Sequence, residues 1–281
     1  MFLAILETAR PKQWIKNLLI FAPLIFAREF LNLDSLGKVV ATFGIFCLAS
    51  SGIYILNDIF DRESDRRHPT KKLRPIASGR LPAKIAGIVS SALLLAALFF
   101  AAKFGMLVAI IAGYIFLQIG YSLFLKHFPI IDLFSIAFGF ILRIIAGGIV
   151  IAVELSSWLL AITFLLALLL ASGKRLREIE TAGHTSRRVL ENYPPEFLRA
   201  TIKILLPAIL VSYLFYSFQA SNSPNFIFTT PIVVFGLLRY LLLIEQKSAN
   251  ENPTDLLFAD RQLLASVIFW MLAVVGILIF A

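Results

Sequence analysis

Long apolar runs dominate the chain, and most of the polar residues stand in the connections between them. A helix of ~20 apolar residues crosses a hydrocarbon layer of ~30 Å, and most of these runs reach about that length. Pro23 interrupts the first run, which makes it the weakest span and the candidate for a re-entrant segment. The pattern therefore predicts an all-α, polytopic membrane protein with about nine transmembrane helices. The predicted spans are 15–31, 38–56, 83–102, 105–124, 130–151, 156–173, 202–220, 226–244 and 263–280.

Composition supports this prediction. Of the 281 residues, 59% are hydrophobic and 15% are charged, whereas a soluble domain has about 45–50% apolar and about 25% charged residues. These values exclude an ordinary soluble domain, and a disordered chain needs the opposite composition. The one cysteine, Cys47, excludes both a disulfide within the chain and a zinc site built on cysteines.

The lysines and arginines indicate the orientation in the membrane. If the N-terminus lies on the inner side of the membrane, 22 of the 26 lysines and arginines lie in connections on that side. The exceptions are Arg28, Lys38, Lys103 and Arg143. Such a bias predicts a cytoplasmic N-terminus in the cytoplasmic (inner) membrane, and it explains the net charge of +9 without a nucleic-acid partner. Most of the polar chemistry falls in two long inside connections, at about 57–82 and 174–201, so we expect the active site to face the cytoplasm.

The first long connection opens with a regular array of acids. On a helix, Asn57, Asp61 and Asp65 recur every four residues, and Asp58 lies one turn from Asp61. Like charges at this spacing repel unless a cation binds, and oxygen ligands without histidine or cysteine select Mg²⁺, with Mn²⁺ as a second choice. The array therefore predicts that Asp58, Asp61 and Asp65 coordinate a magnesium ion, which in turn binds a diphosphate. The alternative is a solvated helix end whose acids pair with Arg62, Arg66 and Arg67.

Cations follow this array within the same connection, among them Arg66, Lys72 and Arg74. A multiply phosphorylated substrate needs such cations, because one metal ion does not neutralise it. The alternative is ordinary positive-inside bias with binding of lipid headgroups. Lys12 and Lys16, one helical turn apart, are further candidates for phosphate contact, with a juxtamembrane anchor as their alternative role.

Two ionisable residues lie within the fifth predicted span. Asp132 and Arg143 fall on one helix face, but ~16 Å of helical rise separates them, too far for a direct ion pair. Ionisable residues within spans indicate function by default. We expect Arg143 to reach a phosphate and Asp132 to orient Lys126 or a hydroxyl of the substrate. The alternative for both is structural pairing between helices.

The acidic array matches the Asn-Asp-x-x-Asp-x-x-x-Asp motif of the UbiA superfamily of intramembrane prenyltransferases, and the chain resembles that family over most of its length. The resemblance implies one transmembrane domain over 1–281, with helices around a central cavity open to the cytoplasmic face. It also implies that Asp58, Asp61 and Asp65 are the catalytic aspartates that hold magnesium and the diphosphate. Asn57 would contribute an oxygen ligand or a hydrogen bond.

Four further stretches resemble a narrower branch, the decaprenyl-phosphate phosphoribosyltransferases. This resemblance implies transfer of 5-phosphoribose from phosphoribosyl diphosphate (PRPP) to a polyprenyl phosphate, in the synthesis of cell-wall arabinan precursors. Other family members carry a second acidic motif where this chain has Lys174 and Arg175 ahead of Glu178. The extra cations would bind the 5-phosphate of PRPP. The alternative is that these residues form Lys/Arg–Glu pairs on an amphipathic surface helix. The four stretches are 10–17, 65–71, 121–126 and 173–175.

The resemblance also defines the set of predicted phosphate contacts and two competing functions. The predicted contacts are Lys72, Arg74, Lys126, Lys174 and Arg175. The first competing function is a prenyltransferase that moves a prenyl chain from an allylic diphosphate to an aromatic acceptor, with the same fold and metal site. The second is a transporter, which is disfavoured because transport sites lie near the bilayer midplane. The predicted partners are PRPP, a polyprenyl phosphate and the lipid bilayer.

Overall fold

The structure, a computed structural model, describes residues 1–182, 192–220, 224–246 and 253–280. Within these ranges the chain is built of α-helices joined by short 3-10 and π-helical segments, and it contains no β-strand. The α-helices are α1 (Phe2–Ala9), α2 (Ala22–Phe26), α3 (Leu33–Phe60), α4 (Arg62–Arg67), α5 (Ala83–Ala102), α6 (Leu107–Leu123), α7 (Ile131–Val150), α8 (Ser157–Ala182), α9 (Pro195–Phe215), α10 (Thr230–Glu245), α11 (Pro253–Ala259) and α12 (Arg261–Phe280).

The predicted all-α, polytopic membrane fold is confirmed. In the described part of the chain, seven helical segments are long and apolar enough to cross a membrane. The predicted span 105–124 contains a shorter apolar helix, α6, of 17 residues, so the count of nine spans stays a prediction. The seven segments are Leu33–Phe60, Ala83–Ala102, Ile131–Val150, Ser157–Glu180, Pro195–Gln219, Asn225–Glu245 and Arg261–Phe280.

The first predicted span, 15–31, differs most from expectation. It consists of the end of a 3-10 helix, Pro11–Phe21, the short helix α2 and a second 3-10 helix, Glu29–Leu31. A proline stands in the first turn of each of the first two segments, where its missing N–H and fixed φ suit the start of a helix. The apolar run is therefore divided into three short helical pieces.

The chain packs into two compact units. Unit 1 contains residues 1–126 and 142–154, and unit 2 contains residues 127–141 and 155–281. In unit 1, α3 packs against α5, α6 and α1 around a core that includes Phe46. In unit 2, α8 packs against α9, and α10 against α12. The assignment of the chain to a single domain stays a prediction.

Both long polar connections are partly helical. The segment predicted as a loop at 57–82 starts within α3 and includes α4, and the segment at 174–201 starts within α8 and ends within α9. The physical reason is that charged residues at i, i+3 and i, i+4 pair along a helix and continue it beyond the apolar run. On α8, Arg175 contacts Glu178 and Arg177 contacts Glu180 in this way. Several candidate site residues, among them Asp58, Asp65 and Arg175, are therefore held on helices.

A glycine of α7 allows close packing in unit 1. A Cβ atom on Gly147 would lie 2.1 Å from the carbonyl oxygen of Ile20, on the 3-10 helix Pro11–Phe21. We expect Gly147→Ala to lower the free energy of unfolding by about 1–3 kcal/mol, because backbone must move to admit the methyl group. Gly113→Ala on α6 is the matched control, since nothing lies within 4 Å of its Cβ position. Thermal unfolding in detergent measures both variants, and equal stability of the two would contradict this packing.

Candidate active site

The acidic residues lie where α3 passes into α4. Asn57 and Asp58 stand in the last turn of α3, Asp61 joins the two helices, and Asp65 lies in α4. The N–H of Asp61 donates to the carbonyl oxygen of Asn57 at 2.9 Å, and the N–H of Asp65 donates to that of Asp61 at 2.8 Å. Because helical hydrogen bonding continues across the junction, the side chains keep the helical spacing that the sequence predicts.

Three cations from other parts of unit 1 pair with the three aspartates. Asp58 Oδ1 lies 2.5 Å from Arg10 Nη2 and 3.2 Å from Arg74 Nη1. Arg74 Nη1 also lies 2.7 Å from Asp65 Oδ2, so one guanidinium joins two carboxylates. Lys126 Nζ lies 2.5 Å from Asp61 Oδ1. Buried carboxylates need such partners, and Asp58 and Asp65 are both buried.

Arg10 is a site residue that the sequence analysis missed. It stands between α1 and the next 3-10 helix in the left-handed region, with φ 54° and ψ 60°. Besides its contact with Asp58, its guanidinium carbon lies 5.4 Å from the centre of the Tyr54 ring. Left-handed backbone is uncommon outside glycine and concentrates at functional sites. In the sequence, Arg10 stands in a family-like stretch, but its charge alone does not distinguish it from the juxtamembrane residues Lys12 and Lys16.

The donor atoms of this cluster fit a hard divalent cation. The side-chain oxygen Oδ1 of Asn57 is buried and has no hydrogen-bond partner among the described residues. With the carboxylates of Asp58, Asp61 and Asp65 it forms the oxygen-only set that Mg²⁺ prefers. In the described ranges no three acidic, histidine or cysteine side chains already converge as a ligand set, and each aspartate faces a cation instead. A metal ion would therefore compete with these cations for the same oxygens.

The other predicted cations of unit 1 are placed differently. Arg74 and Lys126 reach the acidic cluster, whereas Arg66 donates from Nε to the carbonyl oxygen of Ala77 at 3.2 Å and from Nη1 to Glu63 at 3.1 Å. Arg66 thus links α4 to Ala77, in the later part of the same connection. Lys72 is exposed on a short 3-10 segment, Lys12 is exposed, and Lys16 is half-buried. For these lysines the phosphate contact stays a prediction.

Arg143 joins several segments inside unit 1. Its Nε donates to Asn17 Oδ1 at 2.8 Å, and its Nη2 donates to the Tyr114 hydroxyl at 3.1 Å. The guanidinium carbon also lies 5.0 Å from the centre of the Tyr114 ring and 5.8 Å from that of Phe46. This is the interhelical pairing that the sequence offered as the alternative, and a phosphate contact by Arg143 stays a prediction.

Unit 2 holds a second buried polar cluster. Arg175, which is 2% exposed, donates from Nε to Asp132 Oδ2 at 2.7 Å and from Nη1 to Glu178 Oε2 at 2.6 Å. Lys174 Nζ lies 4.0 Å from Glu178 Oε1. The i,i+3 and i,i+4 pairs of the alternative hypothesis are therefore present, although this face of α8 is buried and not solvated. Asp132 pairs with Arg175, and Lys126 pairs with Asp61. The role of Asp132 in orienting Lys126 or a substrate hydroxyl stays a prediction.

Tyr193 completes this second cluster, and the sequence analysis missed it. Its hydroxyl donates to Asp132 Oδ1 at 2.5 Å and accepts the N–H of Ile130 at 2.5 Å. Burial, together with the hydrogen bond to Asp132, raises the pKa of the Tyr193 phenol, so the hydroxyl stays protonated at neutral pH. Tyr193 stands in a short polar stretch before α9, and no period or motif in the sequence distinguishes it.

Comparison with known proteins gives a consistent result. The sequence model of the UbiA prenyltransferase family matches residues 18–260. The chain is 35% identical to the decaprenyl-phosphate phosphoribosyltransferase of Corynebacterium glutamicum over 283 residues, which cover 96% of this chain and 85% of that protein. It is 32% identical to the decaprenyl-phosphate phosphoribosyltransferase of Mycolicibacterium smegmatis over 289 residues, which cover 95% of this chain and 90% of that protein.

Solved structures share the fold. A UbiA homolog from Archaeoglobus fulgidus bound to GPP and Mg²⁺ superposes with a TM-score of 0.76 at 20% identity, covering 96% of both chains. A digeranylgeranylglyceryl phosphate synthase superposes with a TM-score of 0.66 at 19% identity, covering 100% of this chain and 99% of that one. At such low identity these similarities establish the architecture alone.

Proposed function

The chain belongs to the UbiA prenyltransferase family, and from that membership we propose that it transfers 5-phosphoribose from PRPP to a polyprenyl phosphate of the decaprenyl type, with release of diphosphate. The observation that carries the proposal is the pairing of three aspartates with three cations in unit 1. In such a cluster the carboxylates can coordinate a metal ion, and the cations can bind the phosphates of PRPP. The product would serve the synthesis of cell-wall arabinan precursors.

The transfer is a displacement at the anomeric carbon of ribose. A phosphate oxygen of the lipid forms a bond to that carbon, and the bond from the carbon to the diphosphate oxygen breaks. A lipid phosphate is already anionic at neutral pH, so no general base is required. Magnesium, when bound, neutralises the leaving diphosphate.

The chain's own residues then position and screen the two anionic substrates. Asp58, Asp61 and Asp65, with the orphan oxygen of Asn57, would hold the metal ion. The cations that pair with these carboxylates would screen the repulsion between the two substrates and bind the diphosphate that leaves. The proposed phosphate contacts in unit 1 are Arg10, Lys12, Lys16, Arg66, Lys72, Arg74, Lys126 and Arg143. Those in unit 2 are Lys174 and Arg175.

The proposal places the protein in the cytoplasmic membrane with its N-terminus and active site toward the cytoplasm. It is supported by the distribution of lysine and arginine among the connections. PRPP is a water-soluble anion, and the polyprenyl phosphate is held by the bilayer, so the reaction requires a site at the membrane surface. The partners are these two substrates and the lipid, and no nucleic acid takes part.

The experiment that tests the proposal supplies purified protein with PRPP labelled in the ribose, a polyprenyl phosphate and Mg²⁺. We expect a labelled product that extracts into organic solvent, that disappears with EDTA and that returns with added Mg²⁺. A parallel reaction contains an allylic diphosphate and an aromatic acceptor, the substrates of the competing prenyltransferase function. Turnover of that pair, with PRPP left unused, would contradict the proposal.

Competition between Arg10 and the metal ion is testable without turnover. We expect Arg10→Gln to raise the affinity for Mn²⁺ alone by roughly 5–10-fold, because a cation that contacts Asp58 no longer opposes the metal ion. Electron paramagnetic resonance of free Mn²⁺ during a titration measures this affinity. Arg80→Gln is the control, since Arg80 is exposed and pairs with Glu7. An unchanged or weaker affinity in Arg10→Gln would contradict the competition.

A further inference from the structure

We propose that Arg28 binds the phosphate group of an anionic membrane lipid, at the end of unit 1 that lies away from the three aspartates. Arg28 stands between α2 and the 3-10 helix Glu29–Leu31, shortly before α3 begins. It is one of the few basic residues that the distribution of charge along the chain places outside. The inference is independent of the transfer reaction, because it concerns a different part of the same unit.

Arg28 and the aspartates lie at opposite ends of α3. This helix has 28 residues, which corresponds to a length of ~42 Å, and it is long and apolar enough to cross a membrane. Arg28 lies a few residues before its start, whereas Asp58 lies in its last turn and Asp61 directly follows it. A ligand of Arg28 is therefore held at the other surface of the bilayer and is not a substrate of the acidic cluster.

The guanidinium of Arg28 lacks protein partners at two of its three nitrogens. Its Nε and Nη2 atoms are buried, and neither has a hydrogen-bond partner among the described residues. A guanidinium keeps its charge in proteins, and a buried charge without a partner is unfavourable. The residue as a whole is only half-buried, so a ligand has access to it from the membrane. An anion at this position supplies the acceptors that the described part of the chain does not.

The acids closest to Arg28 in the chain are paired with other donors. Glu29 Oε2 accepts from Asn32 Nδ2 at 2.9 Å and from the Ser35 hydroxyl at 2.9 Å. The next acid, Asp34, pairs with the lysine one helical turn later at 2.6 Å. Because both carboxylates already serve these donors, neither neutralises Arg28. The contrast with the acidic cluster is clear, since there each aspartate faces a cation.

The backbone holds Arg28 in a defined turn. Arg28 has φ 61° and ψ 22°, in the left-handed region that is uncommon for residues other than glycine. The N–H of Ala27 donates to the carbonyl oxygen of Pro23 at 2.9 Å, and the N–H of Arg28 donates to that of Ile25 at 3.1 Å. Conformations of this kind cost stability and concentrate at ligand-binding positions. The turn thus presents the guanidinium from a fixed point of the chain.

The surroundings of Arg28 favour a lipid over a free anion. Leu31 is 81% exposed and Leu33 is 82% exposed, so apolar surface lies close to the cation along the chain. A guanidinium matches two oxygens of a phosphate with parallel hydrogen bonds. A lipid fits both features, because its phosphate binds Arg28 while its acyl chains cover the leucines. An anionic headgroup is favoured over a zwitterionic one, since the latter carries its own cation to compete with Arg28.

Thermal unfolding of the purified full-length protein in detergent tests the inference, with and without added phosphatidylglycerol. Without lipid, we expect Arg28→Gln to be at least as stable as the wild type, because it removes a buried charge that has no protein partner. With lipid, we expect Tm of the wild type to rise by about 2–4 °C more than that of Arg28→Gln, since only the wild type keeps the site. Equal rises would overturn the inference.

Two controls have the same design. Lys38→Gln removes another cation at the start of α3, one that already pairs with Asp34, and we expect its Tm to rise with phosphatidylglycerol as much as that of the wild type. Phosphatidylcholine with the same acyl chains should raise Tm equally in the wild type and in Arg28→Gln. A rise lost equally in Lys38→Gln and Arg28→Gln would show general attraction of anionic lipid and would contradict a site at Arg28.

Further arms identify the ligand and exclude a purely structural role. With millimolar inorganic phosphate in place of lipid, we expect no difference in Tm shift between the wild type and Arg28→Gln, and a shift confined to the wild type would overturn the assignment to a lipid. Arg28→Lys keeps the charge without the paired donors, so its rise with phosphatidylglycerol should lie between those two proteins. A lipid-free Arg28→Gln that unfolds well below the wild type would show that Arg28 serves the fold, and would refute the inference.

Discussion

Replacement of Asp61 by asparagine should abolish most of the activity, with kcat/KM lowered roughly 10³-fold. A metal ion that stabilises the leaving group supplies several kcal/mol to the transition state, and Asp61 is one of its proposed ligands. Folding should be retained, because asparagine has nearly the size of aspartate and the Asp61 side chain is 34% exposed. The measurement is the initial rate of labelled lipid formation, together with monodispersity in detergent.

The matched control for Asp61→Asn is Glu63→Gln. Glu63 is an exposed acid in the first turn of α4, two residues after Asp61, and it pairs with Arg66. Its replacement should leave kcat/KM within about 2-fold of wild type, because an exposed pair contributes little. Full activity of Asp61→Asn, or an equal loss in both variants, would show that the metal assignment is wrong.

Replacement of Arg175 by methionine should cause the largest loss of stability, about 3–5 kcal/mol. The substitution leaves Asp132 and Glu178 as buried carboxylates without their shared guanidinium, and an uncompensated buried charge is strongly destabilising. The additional change Asp132→Leu should recover part of the loss, because it removes one of the two charges left behind. Thermal unfolding in detergent, without substrates, measures these effects apart from any role in catalysis.

An exposed pair provides the comparison for Arg175→Met. Lys38 Nζ lies 2.6 Å from Asp34 Oδ2 on the first turns of α3, and both side chains are well exposed. Lys38→Met should change stability by less than about 0.5 kcal/mol, as is typical of i,i+4 pairs on a helix surface. A loss in Arg175→Met as small as that in Lys38→Met would contradict the buried network in unit 2.

The sequence predicts those features that depend on local periodicity. Seven helical segments follow from the apolar runs, because a helix of ~20 apolar residues satisfies its backbone within the bilayer. The shared face of Asn57, Asp61 and Asp65 follows from helical spacing, and the structure retains that spacing through the junction of α3 and α4. The predicted cations Arg74 and Lys126 do reach the aspartates.

Features that depend on tertiary partners are not predicted. Arg10 and Tyr193 lie far in sequence from Asp58 and Asp132, so no local pattern joins them. The charged segment of α8 has the residue pairs of a surface helix, and burial of Arg175 becomes visible only when Asp132 of α7 is placed beside it. The first apolar run has the composition of a span, but its prolines divide it into shorter helices.

The identity of the transferred group tests the account most directly. Wild-type protein is incubated with PRPP, decaprenyl phosphate and Mg²⁺. The lipid product is analysed by mass spectrometry, and the amount of released diphosphate is measured in the same reaction. We expect a lipid that gains one phosphoribosyl group for each diphosphate released, and no product with Asp61→Asn. An unmodified lipid phosphate, in a preparation that joins an allylic diphosphate to an aromatic acceptor, would contradict it.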